Sequence, residues 1–238
     1  MMNPMRVDIH RLRVTAIVPA LNEEAAIGAV VEELIHAGLD DVVVVDNGST
    51  DATADRASKA GARVVEEPRR GYGSACWAGF QAAQDAEFLV FLDGDGSDDP
   101  AQVPLVLEPL VEGEADLVLG TRLVDASEAG ALKPQARFGN WLVTRVIRTL
   151  YSVSLGDIPS FRAIARKDLE RLQMRERTYG WPVEMVVKAV KRGYRIHEVP
   201  TRYRRRRGGT SKVAGTFKGT VLAAWFMLST AIRHAWER

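Results

Sequence analysis

The sequence lacks the features of an exported or membrane-spanning protein. Its single cysteine, Cys76, excludes an internal disulfide and gives no sign of an oxidising compartment. The longest apolar stretch, residues 221–232, is shorter than the roughly 18 residues that a membrane-spanning helix needs. The first 14 residues have no apolar core of the kind found in secretory signals. These absences predict a cytoplasmic protein, with at most a peripheral contact to the inner face of the membrane.

Histidine is also scarce, and its four occurrences show no metal-ligand spacing. They lie far apart, at His10, His36, His197 and His234, and Cys76 has no histidine near it in the sequence. A metal site built from histidine or cysteine is therefore not predicted, and none of these residues is assigned to catalysis.

The small net charge of +1 hides an uneven distribution of charge along the chain. Residues 1–120 carry 22 acidic and 8 basic side chains, whereas residues 121–238 carry 9 acidic and 24 basic ones. The second half is therefore expected to meet an anion, unless the two halves neutralise each other. With 238 residues, the chain is long enough for one domain and an appendage.

Short apolar runs alternate with helical patterns along the chain. In the first half, the runs at 13–19, 41–45, 63–66 and 88–92 predict strands, and the segments at 22–38, 51–59 and 74–85 predict helices. In the second half, strands are predicted at 115–120 and 195–199, and helices at 138–151, 169–174 and 182–192. Apolar strands joined through helices indicate an α/β fold with a mostly parallel sheet that is covered on both faces.

The carboxyl ends of three predicted strands carry polar, acidic or glycine-bearing segments. These segments are PALNE at 19–23, DNGS at 46–49 and DGD at 93–95. Ligands of open α/β sheets bind outside the carboxyl ends of the strands. We therefore expect the functional site at this edge of the sheet.

The segment FLDGDGSDDP, residues 91–100, places four aspartates directly after an apolar strand. Asp93 and Asp95 are two residues apart with Gly94 between them, so both carboxylates can approach one hard cation. Mg²⁺ typically takes one or two carboxylates together with water and substrate phosphates. The pair therefore predicts a divalent metal that holds a nucleoside diphosphate.

The same aspartate-rich segment resembles a calcium loop and the start of a helix. A calcium loop of the EF-hand type requires glycine and glutamate where Asp98 and Pro104 stand, which excludes it. A helix cap is predicted for Asp98 and Asp99, which precede a helix expected to begin at Pro100.

Two further segments are suited to phosphate. Arg70, Gly71 and Gly73 belong to a glycine-rich turn that enters a helix, where backbone N–H groups either cradle a phosphate or make a tight turn. Residues 202–212 are basic and contain two glycines, which fits a mobile phosphate-binding lid or a solvated loop. A nucleic-acid partner is not expected, because Tyr203 is the only aromatic residue in this basic segment.

The C-terminal segment has an apolar stripe at helical spacing. The stripe consists of Phe217, Val221, Trp225, Leu228 and Ile232. It predicts either a core helix or a helix that lies in a membrane interface beside the basic loop.

Taken in order, these motifs resemble the family 2 glycosyltransferases, most closely the branch of dolichyl- and polyprenyl-phosphate mannose or glucose synthases. The motifs are IVPALNEE (17–24), VVVVDNGSTDAT (42–53), RGYGSACWAGF (70–80), FLDGDGSDDP (91–100), LVLGTR (117–122), IPSFRAI (158–164) and EVPTRYRRRRGGTSKVAGT (198–216). The resemblance implies a GT-A fold, with a Rossmann-like, mostly parallel sheet flanked by helices and followed by an acceptor loop and a helix. It implies a catalytic domain at 1–212 and an apolar or amphipathic C-terminal helix at 213–238.

The resemblance also implies roles for individual residues, four of them catalytic. The implied catalytic residues are Asp95, Arg122, Arg137 and Arg206, with Arg122 and Arg137 as phosphate or acceptor contacts. The implied substrate-binding residues are Pro19, Leu21, Glu23, Asp46, Arg70, Gly71, Gly73, Asp93, Gly94, Ser211 and Lys212. Asp93 and Asp95 match the D-x-D metal motif of the family. Arg206, Gly209, Ser211 and Lys212 match an acceptor loop of the form R-x-x-G-x-S-K.

The sequence departs from the family pattern in several places. Asn47 stands where a second aspartate is common, and Ser97 replaces a frequent glutamine, so contacts to the ribose or base and around the metal are expected to differ. The Q-x-x-R-W signature of processive relatives is absent, which argues against polymer synthesis. The membrane-spanning helices of many lipid-phosphate relatives are not found in this sequence.

The implied reaction is an inverting transfer of a hexose, dependent on Mg²⁺ or Mn²⁺, from GDP- or UDP-hexose to polyprenyl phosphate or another phosphorylated acceptor. A soluble hydroxyl acceptor would need a carboxylate base, for which Glu184 is the candidate, although an exposed helix glutamate is the simpler interpretation. A sugar-phosphate nucleotidyltransferase is disfavoured because Glu23 and Glu24 follow the first strand, where a basic, glycine-rich loop is needed. If the protein only bound anions or a membrane, without catalysis, Asp93 and Asp95 would have no function.

Overall fold

The computed structural model of the protein describes residues 9–122, 128, 131, 133–208 and 217–236. The strands are β1 Val14–Ala20, β2 Asp41–Asp46, β3 Arg63–Glu66, β4 Phe88–Phe91, β5 Leu117–Arg122, β6 Arg162–Ala165 and β7 Ile196–Thr201. The helices are α1 Ile27–His36, α2 Thr53–Lys59, α3 Tyr72–Ala82, α4 Val103–Val111, α5 Pro134–Tyr151, α6 Arg166–Leu172, α7 Trp181–Lys191 and α8 Phe217–Trp236.

All seven strands belong to one sheet in the order β3-β2-β1-β4-β6-β5-β7. The first four strands are parallel, as are β5 and β7, so the predicted mostly parallel sheet is confirmed. β6 was not predicted, and it runs antiparallel to both β4 and β5. Its four residues, RAIA, begin with the charged Arg162, which is buried.

Each face of the sheet is covered by its own hydrophobic core. Val18 and Val44 pack on one face with α1 and α4, whereas Ile17 and Val43 pack on the other with α3 and α7. Successive residues of a strand point to opposite faces, so one apolar run supplies both cores. This two-sided burial explains why the first strands contain hardly any polar residues.

The connection after β1 is a loop where the sequence predicts a helix. Asn22 does not cap α1, which begins five residues later at Ile27. It has a positive φ of 52°, and its side-chain oxygen accepts a hydrogen bond from the backbone N–H of Thr50 at 2.8 Å. Ser49 in turn accepts the backbone N–H of Asn22 at 2.9 Å. The loops that follow β1 and β2 are therefore joined, and both lie at the edge where the site is expected.

The C-terminal helix α8 packs against α5 and α7. Small residues face the protein: Ala223, Thr230 and Ala231 are buried. The predicted apolar stripe is largely on the other side, since Val221, Trp225 and Ile232 are 51%, 67% and 49% exposed. The interpretation of that stripe as the core-facing side is therefore wrong.

Among the described residues, no helix is both long and apolar enough to cross a membrane.

Candidate active site

Three aspartates lie together just beyond the carboxyl end of β4. The Asp98 carboxylate accepts hydrogen bonds from the backbone N–H of Asp93 at 3.1 Å and from the hydroxyl of Ser160 at 3.2 Å. Asp95 accepts hydrogen bonds from the backbone N–H of Ser97 at 2.9 Å and from its hydroxyl. The turn between Asp93 and Asp98 is thus held by its own carboxylates, and it gathers negative charge at the edge of the sheet.

The structure corrects the helix-cap assignment for one of the two residues. Asp99 does act as a cap, because its side chain accepts the backbone N–H of Ala101 at 3.2 Å. Asp98 points instead to Asp93 and is only 2% exposed, and one of its oxygens has no hydrogen-bond partner among the described residues. The Ser97 hydroxyl and N–H both donate to Asp95. Asp98 was therefore missed as part of the site.

The electrostatics of this cluster fit a cation. Burial raises the pKa of Asp93, and the neighbouring charges of Asp98 and Asp95 raise it further. Burial likewise raises the pKa of Asp98. A divalent cation would relieve both the desolvation and the mutual repulsion of these carboxylates.

The ligand chemistry also fits. Among the described residues, no group of three or more histidine, cysteine or carboxylate side chains is arranged to hold a metal ion, so a site here would rest on two carboxylates. An incomplete site is what Mg²⁺ or Mn²⁺ uses when substrate phosphates supply the remaining oxygen ligands. Asp93 and Asp95 are the residues that could hold such an ion.

The basic segment after β7 lies across this acidic cluster. One nitrogen of the Arg206 guanidinium donates to Asp95 at 2.8 Å, and another binds the carboxylate of Glu23. Arg204 forms ion pairs with Asp99 at 2.6 Å and with Glu33 at 2.8 Å. Arg206 therefore connects the loop after β1 to the loop after β4, as a residue of a closing segment would. Gly209, Ser211 and Lys212, predicted for the same loop, lie outside the described residues.

The glycine-rich turn before α3 is explained by close packing. Gly71 has a φ of 142°, and a Cβ there would collide with the backbone oxygen of Arg177. A Cβ at Gly73 would lie 2.6 Å from the backbone oxygen of Glu176. The N–H groups of Gly71 and Gly73 already donate to the side chain of Asn47 and the backbone of Thr178. The structure thus favours the tight turn over the phosphate cradle.

Asn47 explains one departure from the family pattern. Its amide nitrogen donates to the backbone oxygens of Glu67 and Arg69, both at 2.8 Å, and its oxygen accepts the N–H of Gly71. An aspartate could not donate these two bonds. The side chain therefore joins the ends of β2 and β3 to the turn before α3, a role that its position alone did not reveal.

The predicted nucleoside-binding residues lie at neighbouring strand ends. Pro19 is in β1, and Ala20 pairs with Asp46 at the end of β2. Leu21 and Glu23 follow in the loop after β1, and Asp46 accepts the backbone N–H of Ser49 at 3.0 Å.

Two other predicted residues are fixed by their neighbours. Gly94 is buried against the end of β1, where a Cβ would lie 3.3 Å from the backbone oxygen of Pro19. The guanidinium of Arg70 is exposed and lies beside Gly48, because a Cβ at Gly48 would be 3.3 Å from its Nε. Arg70 is therefore close to the loop that follows Asp46.

Arg122 lies between the acidic cluster and a cavity beside α5. It ends β5, donates to both oxygens of Asp157 at 2.8 and 2.7 Å, and lies over the ring of Tyr203, 5.4 Å from its centre. Tyr203 itself pairs with Asp98 in an isolated bridge. On its other side Arg122 lines a cavity of about 630 Å³, to which the exposed Arg137 of α5 also contributes. The two predicted acceptor-binding arginines therefore share one cavity.

Glu184 is neither a candidate base in the cavity nor an exposed helix residue. It is fully buried, and it accepts the backbone N–H groups of Arg175 and Glu176 at 2.9 and 2.7 Å. Lys188 forms an ion pair with it at 2.8 Å. Both predictions for this residue are therefore wrong, and Glu184 is a structural residue.

Comparison with known proteins identifies the class. A solved structure of glucosyl-3-phosphoglycerate synthase from Mycobacterium tuberculosis, in complex with Mn²⁺ and UDP-glucose, has a TM-score of 0.76 at 25% identity, covering 97% of this chain and 81% of that chain. The fold is accordingly the GT-A fold of enzymes that use nucleotide sugars.

The sequence comparisons identify the family. Residues 15–173 match Glycosyl transferase family 2. The chain is 40% identical over 211 residues to an uncharacterized glycosyltransferase of M. tuberculosis, covering 88% of this chain and 94% of that protein. It is 30% identical over 224 residues to the undecaprenyl-phosphate mannosyltransferase of Micrococcus luteus, covering 87% and 90%. The chain belongs to glycosyl transferase family 2.

Proposed function

We propose that the protein transfers a hexose from a nucleoside-diphosphate sugar, with inversion and with a divalent metal, to a phosphorylated acceptor, and that this acceptor is a polyprenyl phosphate. The observation that carries the proposal is the pair Asp93 and Asp95 at the edge of the sheet, between Arg206 and the cavity of Arg122. The M. luteus relative, named for an undecaprenyl-phosphate acceptor, supports the choice of acceptor.

The donor would lie across the ends of β1, β2 and β4. Pro19, Leu21 and Glu23 would line the nucleoside, Asp46 would contact its base or ribose, and Arg70 would approach it from the neighbouring loop. A metal held by Asp93 and Asp95 would supply charge neutralisation for the diphosphate leaving group. Arg206, which pairs with Asp95 and Glu23, would add positive charge as negative charge develops on the leaving group.

The acceptor would enter through the cavity lined by Arg122 and Arg137. A phosphate monoester is already anionic, so it can attack without a general base, and its attack depends on orientation. Arg122 suits that task because its bidentate pair with Asp157 and its contact with Tyr203 fix the guanidinium. The reassignment of Glu184 leaves this residue unavailable as a base.

A peripheral contact with a membrane would deliver such a lipid acceptor. Phe138 and Trp141 of α5 are 63% and 57% exposed, and α8, which packs against α5, exposes Val221, Trp225 and Trp236. Exposed aromatic rings and basic side chains on packed helices suit the interface of an anionic membrane.

Diphosphate release tests the proposal. The protein is incubated with Mg²⁺ or Mn²⁺ and with a panel of GDP- and UDP-hexoses, with and without polyprenyl phosphate. We expect release that requires both the metal and the lipid phosphate, and that is lost in Asp93→Asn and Asp95→Asn. Asp85→Asn is the matched control, because Asp85 is exposed and lies on the loop before β4. Absence of release with every donor and acceptor pair would refute the enzyme assignment.

A further inference from the structure

The cavity beside α5 holds more arginine than one acceptor phosphate requires. Besides Arg122 and Arg137, its walls include Arg145 and Arg148, and its volume is about 630 Å³. That volume is in the range of sites for whole small-molecule ligands, well above the size of a single phosphate group.

The carboxylates of the cavity do not balance this charge. Asp157 and Glu198 are the acidic residues in its walls, against four arginines, so the walls carry a net charge of 4 − 2 = +2. Asp157 is already bound to Arg122 on both oxygens. Glu198 accepts the backbone N–H groups of Gly156 and Asp157. Neither carboxylate forms an ion pair with an arginine of α5 among the described residues.

Arg145 and Arg148 lie on the same side of α5 as Arg137. Residues 137, 141, 145 and 148 recur every three or four positions and all line the cavity. Arg137 and Arg148 are eleven residues apart, which is about 16 Å along the helix. Arg145 and Arg148 are neighbours, whose like charges repel, and within the described part of the chain neither side chain has an acidic partner.

We propose that Arg145 and Arg148 form a second anion subsite, which binds a phosphate group other than the acceptor phosphate placed beside Arg122 and Arg137. Paired guanidiniums present several N–H donors in a planar arrangement that matches phosphate oxygens. The ligand is a phosphate ester, carried by a lipid headgroup or by a soluble molecule. The inference depends on the proposed function only for the position of the acceptor phosphate.

Binding by the full chain tests this subsite without a donor sugar or a metal. The variant is Arg145→Gln with Arg148→Gln, and the charge-matched control is Lys167→Gln with Arg192→Gln, two exposed residues on α6 and just after α7. One arm measures partition onto phosphatidylcholine vesicles with and without phosphatidylglycerol. The other arm titrates inorganic phosphate and follows it by NMR. Thermal unfolding checks that each variant is folded, and substitutions at exposed positions are expected to change it little.

We expect the double variant to bind at least one probe about thirtyfold more weakly than the control. The reason is that the variant loses two positive charges that attract an anionic surface. Loss confined to the phosphatidylglycerol vesicles identifies a lipid headgroup, and loss of inorganic phosphate identifies a soluble ester. Equal binding by the double variant and the control in both arms overturns the proposal, as does a wild-type protein that binds neither probe. Because neither arm measures turnover, these outcomes are independent of the diphosphate-release test.

Discussion

Replacing Glu184 with glutamine is expected to destabilise the fold while leaving the chemistry of the site in place. The carboxylate is fully buried among donors: it accepts two backbone N–H groups, from Arg175 and Glu176, and pairs with Lys188 at 2.8 Å. His234 of α8 approaches it to 3.5 Å. This network therefore connects α7 both to the loop before it and to the C-terminal helix.

The size of the effect follows from the pKa of Glu184. Burial alone would raise this pKa, but hydrogen bonds from His234, from Lys188 and from the two N–H groups lower it from 4.5 to about 2. The ionised carboxylate therefore stabilises the folded state by about 3 kcal/mol at neutral pH. This contribution is fully present above the unfolded-state pKa of 4.5 and is lost as the pH falls towards 2.

Urea unfolding measures both the magnitude and the pH dependence. We expect Glu184→Gln to lower the free energy of unfolding by about 3 kcal/mol at neutral pH, because glutamine leaves Lys188 beside a neutral group. The difference from the wild type should shrink as the pH falls below 4.5. Glu170→Gln is the control, since Glu170 is exposed and its ion pair with Arg166 spans 3.7 Å, so its loss should cost under about 0.5 kcal/mol.

Two results would refute this reasoning about Glu184. One is a Glu184→Gln variant as stable as the wild type at neutral pH. The other is a variant that keeps its stability and loses diphosphate release, because that combination would return Glu184 to the chemistry.

Three further substitutions give separate tests. Asn47→Asp replaces two hydrogen-bond donors with a carboxylate that faces backbone oxygens, so it should cost about 2–5 kcal/mol in urea unfolding, whereas an unchanged midpoint would contradict the bonding described. Gly71→Ala forces a Cβ onto the backbone oxygen of Arg177 at a φ of 142° and should cost at least about 2 kcal/mol; wild-type stability would contradict the packing. In Arg122→Lys the lysine cannot form the bidentate pair with Asp157, so kcat/KM for the acceptor should fall roughly tenfold to a hundredfold. An equal fall in kcat/KM for the donor would argue against a role of Arg122 in acceptor binding.

The strands could be predicted from the sequence wherever an apolar run was long or ended at polar or turn residues. β3 occupies Arg63–Glu66, as predicted, and the other parallel strands differ from the prediction by one or two residues at either end. β6 could not be predicted because its burial depends on its place between β4 and β5, which only the assembled sheet provides. The late start of α1 has a similar cause, since the hydrogen bonds of Asn22 go to a loop that is distant in sequence.

The sequence predicted the position of the site better than it predicted the role of each residue. Asp93 and Asp95 could be placed at the edge of the sheet because they follow a strand end directly. Asp98 and Asp99 are adjacent in the sequence, and both precede Pro100. The sequence alone therefore does not show that Asp99 caps the helix while Asp98 points into the site. The distinction arises from Ser160 and Tyr203, which meet Asp98 from segments far along the chain.

The uneven charge of the two halves is partly neutralised within the protein and partly directed into a cavity. Arg204, Arg206 and Arg207 pair with acidic residues of the first half, so part of the basic excess neutralises the carboxylates around the site. The arginines of α5 have no such pairing among the described residues, and they line a cavity instead. Raising the ionic strength should therefore weaken anion binding at α5 more than the contacts of the partly buried Arg206, since screening acts most strongly on exposed charges.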